Sequence, residues 1–544
     1  MGTSILDFWQ GEVWRTLALL VATVALVAVS HSVWVMVTRH WWMPRRLGHI
    51  MKQQGWNGPP FRLGVGSVPE VVEFVNKQGS SPLAIRNFDT VSTIIPQYAL
   101  FSKRYGDKCF YYQGSELRIV VTNPNLVKEI ISKPFQYGKF DVKTMKTKEL
   151  LGQFGLPNIN GEEWVLHRQL LDPAFHMESI KGMVSTMMKC TAALLQTWEQ
   201  KVQLGKGEVE LEINNEMRIT TADIIAHTAF SINYEKGKEV FAKMDNLILV
   251  MSKAYNNPFF WIPGYRFLPT TNNTRIAKLK FEINEGLKQL VQGRLDMARK
   301  GKVPYGNDLL GLMLLAFDQN KEKDTKMNKH ELSLQALVDE CKTFFMAGSE
   351  TVASLLTWTL LLLAEYSEWQ DSARIEILEL CGRNINNLDA SIISKMKIVG
   401  MILNETSRLF TIVPSFLRIA TKDIQLGDIF VPKGSALEIP AHQIHRDSKL
   451  WGDDALTFNP NRFAKGVSQA CKHPQGFLPF SFGPRYCIGQ NFANMELKIV
   501  LAMVLSQFQL SISPNYKHCP RFMLIQRPFY GLQLIVKDLT NLTS

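Results

Sequence analysis

The sequence predicts a mainly helical protein carried behind one N-terminal transmembrane helix. Three stretches predict it: an almost wholly apolar run at 17–37, a proline-free apolar stretch at 331–365, and a run of good helix formers at 490–505. A chain of 544 residues has room for several domains, yet no Gly/Ser-rich or Pro-rich linker divides it after about residue 60. One composite domain over 61–544 is therefore expected.

The elements follow in chain order. Residues 17–37 rise about 1.5 Å each and are just long enough to cross a hydrocarbon core of about 30 Å. Only Thr23, Ser30, His31 and Ser32 interrupt the run, and hydroxyls can bond back to helix carbonyls. Asp7, Glu12 and Arg15 precede it; Arg39, His40, Arg45 and Arg46 follow, which places residues 1–16 in the lumen and the C-terminal body in the cytosol. Trp34, Trp41 and Trp42 suit an interfacial belt. The run is too long and its end too bulky for a cleaved signal peptide. Residues 38–60, basic and closing on Gly58-Pro59-Pro60, are expected to form a linker. The sequons at Asn272, Asn404 and Asn541 should stay unglycosylated if the body is cytosolic.

Trp164 and Arg168 stand one helical turn apart and can reach an anion from one face. Residues 257–270 hold too much proline for a regular element and too many aromatics for an ordinary solvated loop, so they are expected to dip into a membrane surface. The polar run 318–330 reads as a surface loop. Within the long helix at 331–365 lies Ala347-Gly-Ser-Glu350-Thr351, and Glu405 and Arg408 pair at i, i+3 on a later helix, ahead of Phe458-Asn-Pro-Asn-Arg462-Phe463.

The decapeptide Phe480-Ser-Phe-Gly-Pro-Arg-Tyr-Cys487-Ile-Gly489 carries the chemistry. A thiolate bound to haem iron must come close to a flat macrocycle, and Gly483 and Gly489 remove the side chains that would hold the backbone off. Arg485 can meet a haem propionate. Cys487 also lies just before the helix at 490–505, whose positive end is expected to lower the thiol pKa. The other six cysteines show no CxxC pair or regular spacing, so neither a disulfide framework nor a zinc site is expected. The net charge of +12 suits an anionic membrane surface or an acidic protein partner, and without an aromatic-interleaved basic cluster it does not suggest nucleic acid.

The pattern Phe-x-x-Gly-x-Arg-x-Cys-x-Gly over 480–489 resembles the signature of the cytochrome P450 family. The wording of 257–270, Asp339–Thr351 and Leu426–Gly434 resembles plant members grouped as clan 72, and the resemblance covers about residues 60–540. It implies a mainly α fold with a smaller β-rich side, a haem b (iron protoporphyrin IX) ligated by Cys487, and monooxygenation with electrons from NADPH through a separate NADPH-cytochrome P450 reductase. No Gly-rich dinucleotide fingerprint follows a strand, in keeping with a separate reductase.

The resemblance also assigns roles. Trp164, Arg168, Arg418 and Arg485 would bind propionates. Thr351, with Glu350 as relay carboxylate, would deliver the protons that O–O cleavage needs, with Gly348 making room for dioxygen. Glu405, Arg408 and Arg462 would form a buried structural network; Asn461 and Thr411 depart from that pattern, and Val352 stands where another hydroxyl residue often follows the threonine. Substrate contacts would come from 135–154, 257–270, Phe344, Phe345, Ala347, 411–416 and 523–525, all mostly apolar. That composition suits an apolar substrate, and the resemblance to clan 72 implies an isoprenoid-derived small molecule such as a triterpenoid, steroid or plant hormone, oxidised by a single-pass protein of the endoplasmic reticulum membrane. The alternatives are a same-fold isomerase or dehydratase acting on a lipid hydroperoxide, which Thr351 argues against, and a non-catalytic membrane haem protein.

Overall fold

The computed structural model describes residues 3–539 except 80, 140–151, 232–233, 256, 263, 303, 307, 323–332, 383–384 and 524. Its main helices are α1 Thr3–Val37, α2 Met43–Gln53, α3 Val68–Gln78, α4 Pro96–Tyr105, α5 Pro124–Ser132, α6 Gly161–Leu171, α7 Met177–Leu204, α8 Ile213–Phe230, α9 Tyr234–Tyr255, α10 Thr271–Arg299, α11 Leu309–Glu322, α12 Leu334–Glu365, α13 Ser367–Cys381, α14 Lys397–Leu409 and α15 Gln490–Gln507. The strands are β1 Phe110–Gln113, β2 Glu116–Val120, β3 Tyr137–Gly138, β4 Glu208–Glu212, β5 Phe416–Ala420, β6 Ile424–Leu426, β7 Ile429–Val431, β8 Ala436–Ile439, β9 Phe508–Ile512, β10 Pro520–Met523, β11 Ile525–Pro528 and β12 Gln533–Asp538. The fold is thus mainly helical with a smaller β region.

Among the described residues two helices are long and apolar enough to cross a membrane, and burial separates them. α12 is enclosed by the protein, so its apolar surface is core. It is capped where Ser333 accepts from Ala336 N–H, and Trp358 on it stacks on Phe410 at 4.3 Å between ring centroids. α1 is exposed wherever its surface is described, from Trp14 onward. Its hydroxyls bond back as the sequence suggests: Thr23 donates to the Leu19 carbonyl at 2.8 Å and Ser32 to that of Ala28 at 2.7 Å.

Residues 38–60 do not form a free linker. A π-helical turn at Thr38–Trp42 joins α1 to α2 without a break, and helix persists to Gln53. Arg45 and Arg46 lie over the rings of Trp41 and Trp42 at 4.4 and 5.1 Å. One face of α2 is apolar, and Leu47 and Met51 bury it against strands of the main sheet. The polar run 318–330 also differs from expectation: α11 extends through it to Glu322, and 323–330 lie outside the described residues.

The main sheet has the order β1-β2-β8-β5-β3, with β2 parallel to β8 and the other pairs antiparallel. Its register sets Arg418 of β5 opposite Leu437 of β8. A second sheet, β4-β12-β9, closes the far end of the helical core, and β10-β11 forms a hairpin beside α12.

Candidate active site: a cysteine loop and a central helix

The cysteine loop is shaped by two residues in left-handed backbone conformation, Ser481 and Gly483. A Cβ on Gly483 would stand 2.8 Å from the Ile131 carbonyl oxygen, so only glycine lets the loop lie against α5. The turn closes where Cys487 N–H donates to Phe480 O at 3.0 Å. α15 begins three residues later. Cys487 is exposed, whereas Arg485 two residues earlier is buried.

The expected lowering of the Cys487 thiol pKa is not what the surroundings produce. Desolvation by the protein packed around the accessible sulfur is the largest influence and raises it, while the Gly489 N–H and Arg168 pull the other way without prevailing. The helix end alone does not ionise this thiol; a metal cation at the sulfur would, since a coordinated thiol is deprotonated outright.

α12 carries the second group of predicted residues. It is buried over nearly its whole length, yet Ala347 is exposed and Gly348 and Thr351 are half-buried. Positions i, i+1 and i+4 share one face of a helix, so these residues form one accessible strip on an otherwise buried helix. Thr351 Oγ1 donates to the Ala347 carbonyl at 2.5 Å, the back-bond usual for a threonine inside a helix. Gly348 does not leave room for dioxygen: an added Cβ would stand 2.8 Å from Ile225 Cδ1, so the missing side chain lets α8 pack against α12. Glu350 points elsewhere and is ion-paired to Arg218 and Arg527.

Arg485 donates to Ile159 O at 2.6 Å and to Asn160 Oδ1 at 3.0 Å and lies over the Trp164 ring at 4.7 Å. Its pKa is pushed down to about 9, first by burial and then by Arg418 and Arg168. Burial brings Arg418 down to about 10. Lys139, which sequence reasoning placed only within a substrate-contact region, is driven well below its usual range by burial and by both arginines. Among the described residues none of Arg418, Arg485 and Lys139 has a carboxylate ion-pair partner. Cations crowded together and depressed by one another form a donor set for a ligand with acidic groups, and the two propionates of haem fit it. Arg168 is engaged otherwise: it pairs with Asp172 at 2.7 Å and donates to the Tyr486 carbonyl at 3.0 Å, bracing the cysteine loop.

Glu405, Arg408 and Arg462 come together. Arg408 makes a two-pronged pair with Glu405 at 2.7 and 2.8 Å and donates to the carbonyls of His445, Ala455 and Thr457, with both partners at 0% side-chain exposure. Arg462 reaches Glu405 at 3.4 Å and Asp454 at 2.6 Å. Thr411, expected in a substrate-contacting turn, is buried in this network instead, with its hydroxyl on Arg408 O and His445 Nδ1. Of the other expected substrate contacts, Phe344 is stacked on Phe175 at 5.3 Å, and 140–151 and Leu524 lie outside the described residues. In the 257–270 segment Phe259, Ile262, Phe267 and Leu268 are exposed.

The pattern of the family described as Cytochrome P450 matches residues 85–534, a span that holds the central helix, the arginine network and the cysteine loop. The chain belongs to the cytochrome P450 family. This P450 is 37% identical to "Cytochrome P450 734A1" of Arabidopsis thaliana over 92% of its own length and 94% of the relative's. It is 39% identical to an Arabidopsis "Cytokinin hydroxylase" over 93% and 95%, and 34% identical to "Cytochrome P450 CYP72A219" of Panax ginseng over 95% and 98%. It is a haem-dependent monooxygenase of the kind supplied with electrons from NAD(P)H by a redox partner. The apolar N-terminal helix and these plant relatives accord with membrane anchoring.

Proposed function

We propose that this P450 is anchored in the endoplasmic reticulum membrane with its body in the cytosol, and oxidises an apolar, isoprenoid-derived small molecule with electrons from NADPH-cytochrome P450 reductase. The overall reaction balances as R–H + O2 + NADPH + H⁺ giving R–OH + H2O + NADP⁺. The observation that carries the reading is the accessible strip Ala347, Gly348 and Thr351 on an otherwise buried helix, together with the accessible thiol of Cys487. Relatives named cytokinin hydroxylase keep a hormone-sized substrate within the proposed class.

The residues divide the work. Cys487 would hold the haem iron, and Arg418, Arg485 and Lys139 would neutralise the propionates while the Trp164 ring packs against Arg485. Haem bound there would supply dioxygen activation, with the Cys487 thiolate as its protein ligand. Thr351 hands protons on by turning its hydroxyl off the Ala347 carbonyl, and Glu350 resupplies it. The exposed apolar side chains at 257–270 sit at the membrane surface and admit substrate from it.

The reduced carbon monoxide difference spectrum tests the centre. A Soret band at about 450 nm is expected for thiolate ligation, and its persistence in Cys487→Ala would remove the assignment. Thr351→Ala should raise peroxide released per NADPH consumed roughly tenfold or more, in line with the loss of one acid–base group; unchanged coupling would reject the proton role. Turnover of a panel of triterpenoids, steroids and hormones with reductase identifies the substrate class.

A further inference from the structure

We propose that Cys190 on α7, Asp223 and His227 on α8 and Glu496 on α15 form a binding site for a zinc ion, separate from the haem. Asp223 and His227 stand at i, i+4, so both side chains leave one face of α8, and α7 packs against both α8 and α15. The Cys190 thiol, the Asp223 carboxylate and the His227 imidazole offer ligand atoms that all lie within 4.8 Å of one another. His227 Nε2 is 3.5 Å from Asp223 Oδ1. One sulfur, one imidazole nitrogen and carboxylate oxygens are a donor set that zinc accepts, and four such ligands complete its tetrahedral coordination.

Glu496 is the observation that turns this cluster into a site. It is 1% exposed, and neither of its carboxylate oxygens has a hydrogen-bond partner. A buried acid left unpaired is costly, and a divalent cation in front of it removes the cost. Its charge reaches Cys190: burial first, then Asp223 and Glu496, raise the pKa of that thiol. The sulfur therefore feels an acid from each neighbouring helix. Asp223 and His227 are half-buried, which leaves a path from solvent, while Cys190 and Glu496 close the inner side. Binding releases the Cys190 proton to solvent. Zinc held there ties α7 and α8 to the helix that follows the Cys487 loop. The sequence hides the site because its four ligands come from three helices and share no CxxC spacing.

The test uses the full haem-loaded enzyme without a histidine tag, dialysed against Zn2+ and then against metal-free buffer, beside His227→Gln and Cys190→Ala. About one zinc per haem should remain, and X-ray absorption at the zinc edge, where iron does not contribute, should show one sulfur at about 2.3 Å among nitrogen and oxygen neighbours at about 2.0–2.2 Å. His227→Gln should load haem normally yet lose zinc affinity by about a hundredfold, since even an outer-shell partner is worth about 10–100-fold. Cys190→Ala should lose the sulfur from the zinc shell. Zinc should raise the thermal midpoint of the wild type, a chelator should reverse the rise, and both effects should shrink in His227→Gln. Should Cys190→Ala fail to fold, the sulfur neighbour in the wild type and the affinity of His227→Gln decide the question alone. Zinc retained without a sulfur neighbour, or held equally well by His227→Gln, is an adventitious ion only and overturns the site, as does the retention of none.

Discussion

Gly348 shows how the same residue can be read correctly as special and wrongly as to why. Its sequence setting, one residue before a Ser-Glu-Thr step in a buried helix, suggested space for a ligand; the structure gives the space to Ile225. Gly348→Ala should therefore destabilise the protein by about 1–3 kcal/mol through overpacking between α8 and α12. Ile225→Val in the same chain, which removes the Cδ1 that the new methyl would meet, should restore much of the loss, measured by urea unfolding. If Gly348→Ala is neutral in stability and alters only dioxygen handling, the packing account is wrong.

α2 is the element whose role changes most. A basic stretch closing on Gly-Pro-Pro reads as a tether, and the periodic burial of Pro44, Leu47, Gly48 and Met51 was hidden by the arginines and tryptophans between them. The structure makes it part of the folded body, with Met51 fully enclosed. Deleting residues 1–38 should release the protein from membranes while leaving urea stability nearly unchanged. Deleting 1–54 should cost several kcal/mol in addition, since burying a Leu or Met side chain contributes about 1.5–3 kcal/mol. Equal stability of the two truncated proteins would show that α2 is dispensable to the body.

For the whole molecule, buried histidines set a pH limit. Burial and nearby arginines hold His442 and His445 well below their usual pKa, and burial holds His518 down to about 4. In the unfolded chain each titrates near about 6.5. Above that both states are neutral and stability is complete; as pH falls from about 6.5 toward about 4, the unfolded chain binds protons that the folded one refuses, and stability is lost. The urea midpoint should fall between pH 7 and pH 5, and by less in His518→Phe. A midpoint flat over that interval would count against the histidines.

Legibility in the sequence follows distance along the chain. α1, α12 and α15 were legible because each carries its own apolar run. The cysteine loop was legible because its chemistry is confined to ten consecutive residues. The crowding of Lys139 against Arg418 and Arg485, and the sharing of Arg218 between Asp245 and Glu350, were not. Those contacts join residues separated by more than a hundred positions or depend on packing between helices, and no local pattern encodes them.

The unbroken passage from α1 through the π turn into α2 has a mechanical meaning. A flexible tether would let the catalytic body float at any height above the lipid. A continuous helix clamped at its far end by Leu47 and Met51 behaves as a mast, so a thicker or thinner bilayer that tilts the span also leans the body. The depth at which the apolar 257–270 segment meets the lipid then becomes a property of the membrane as much as of the enzyme.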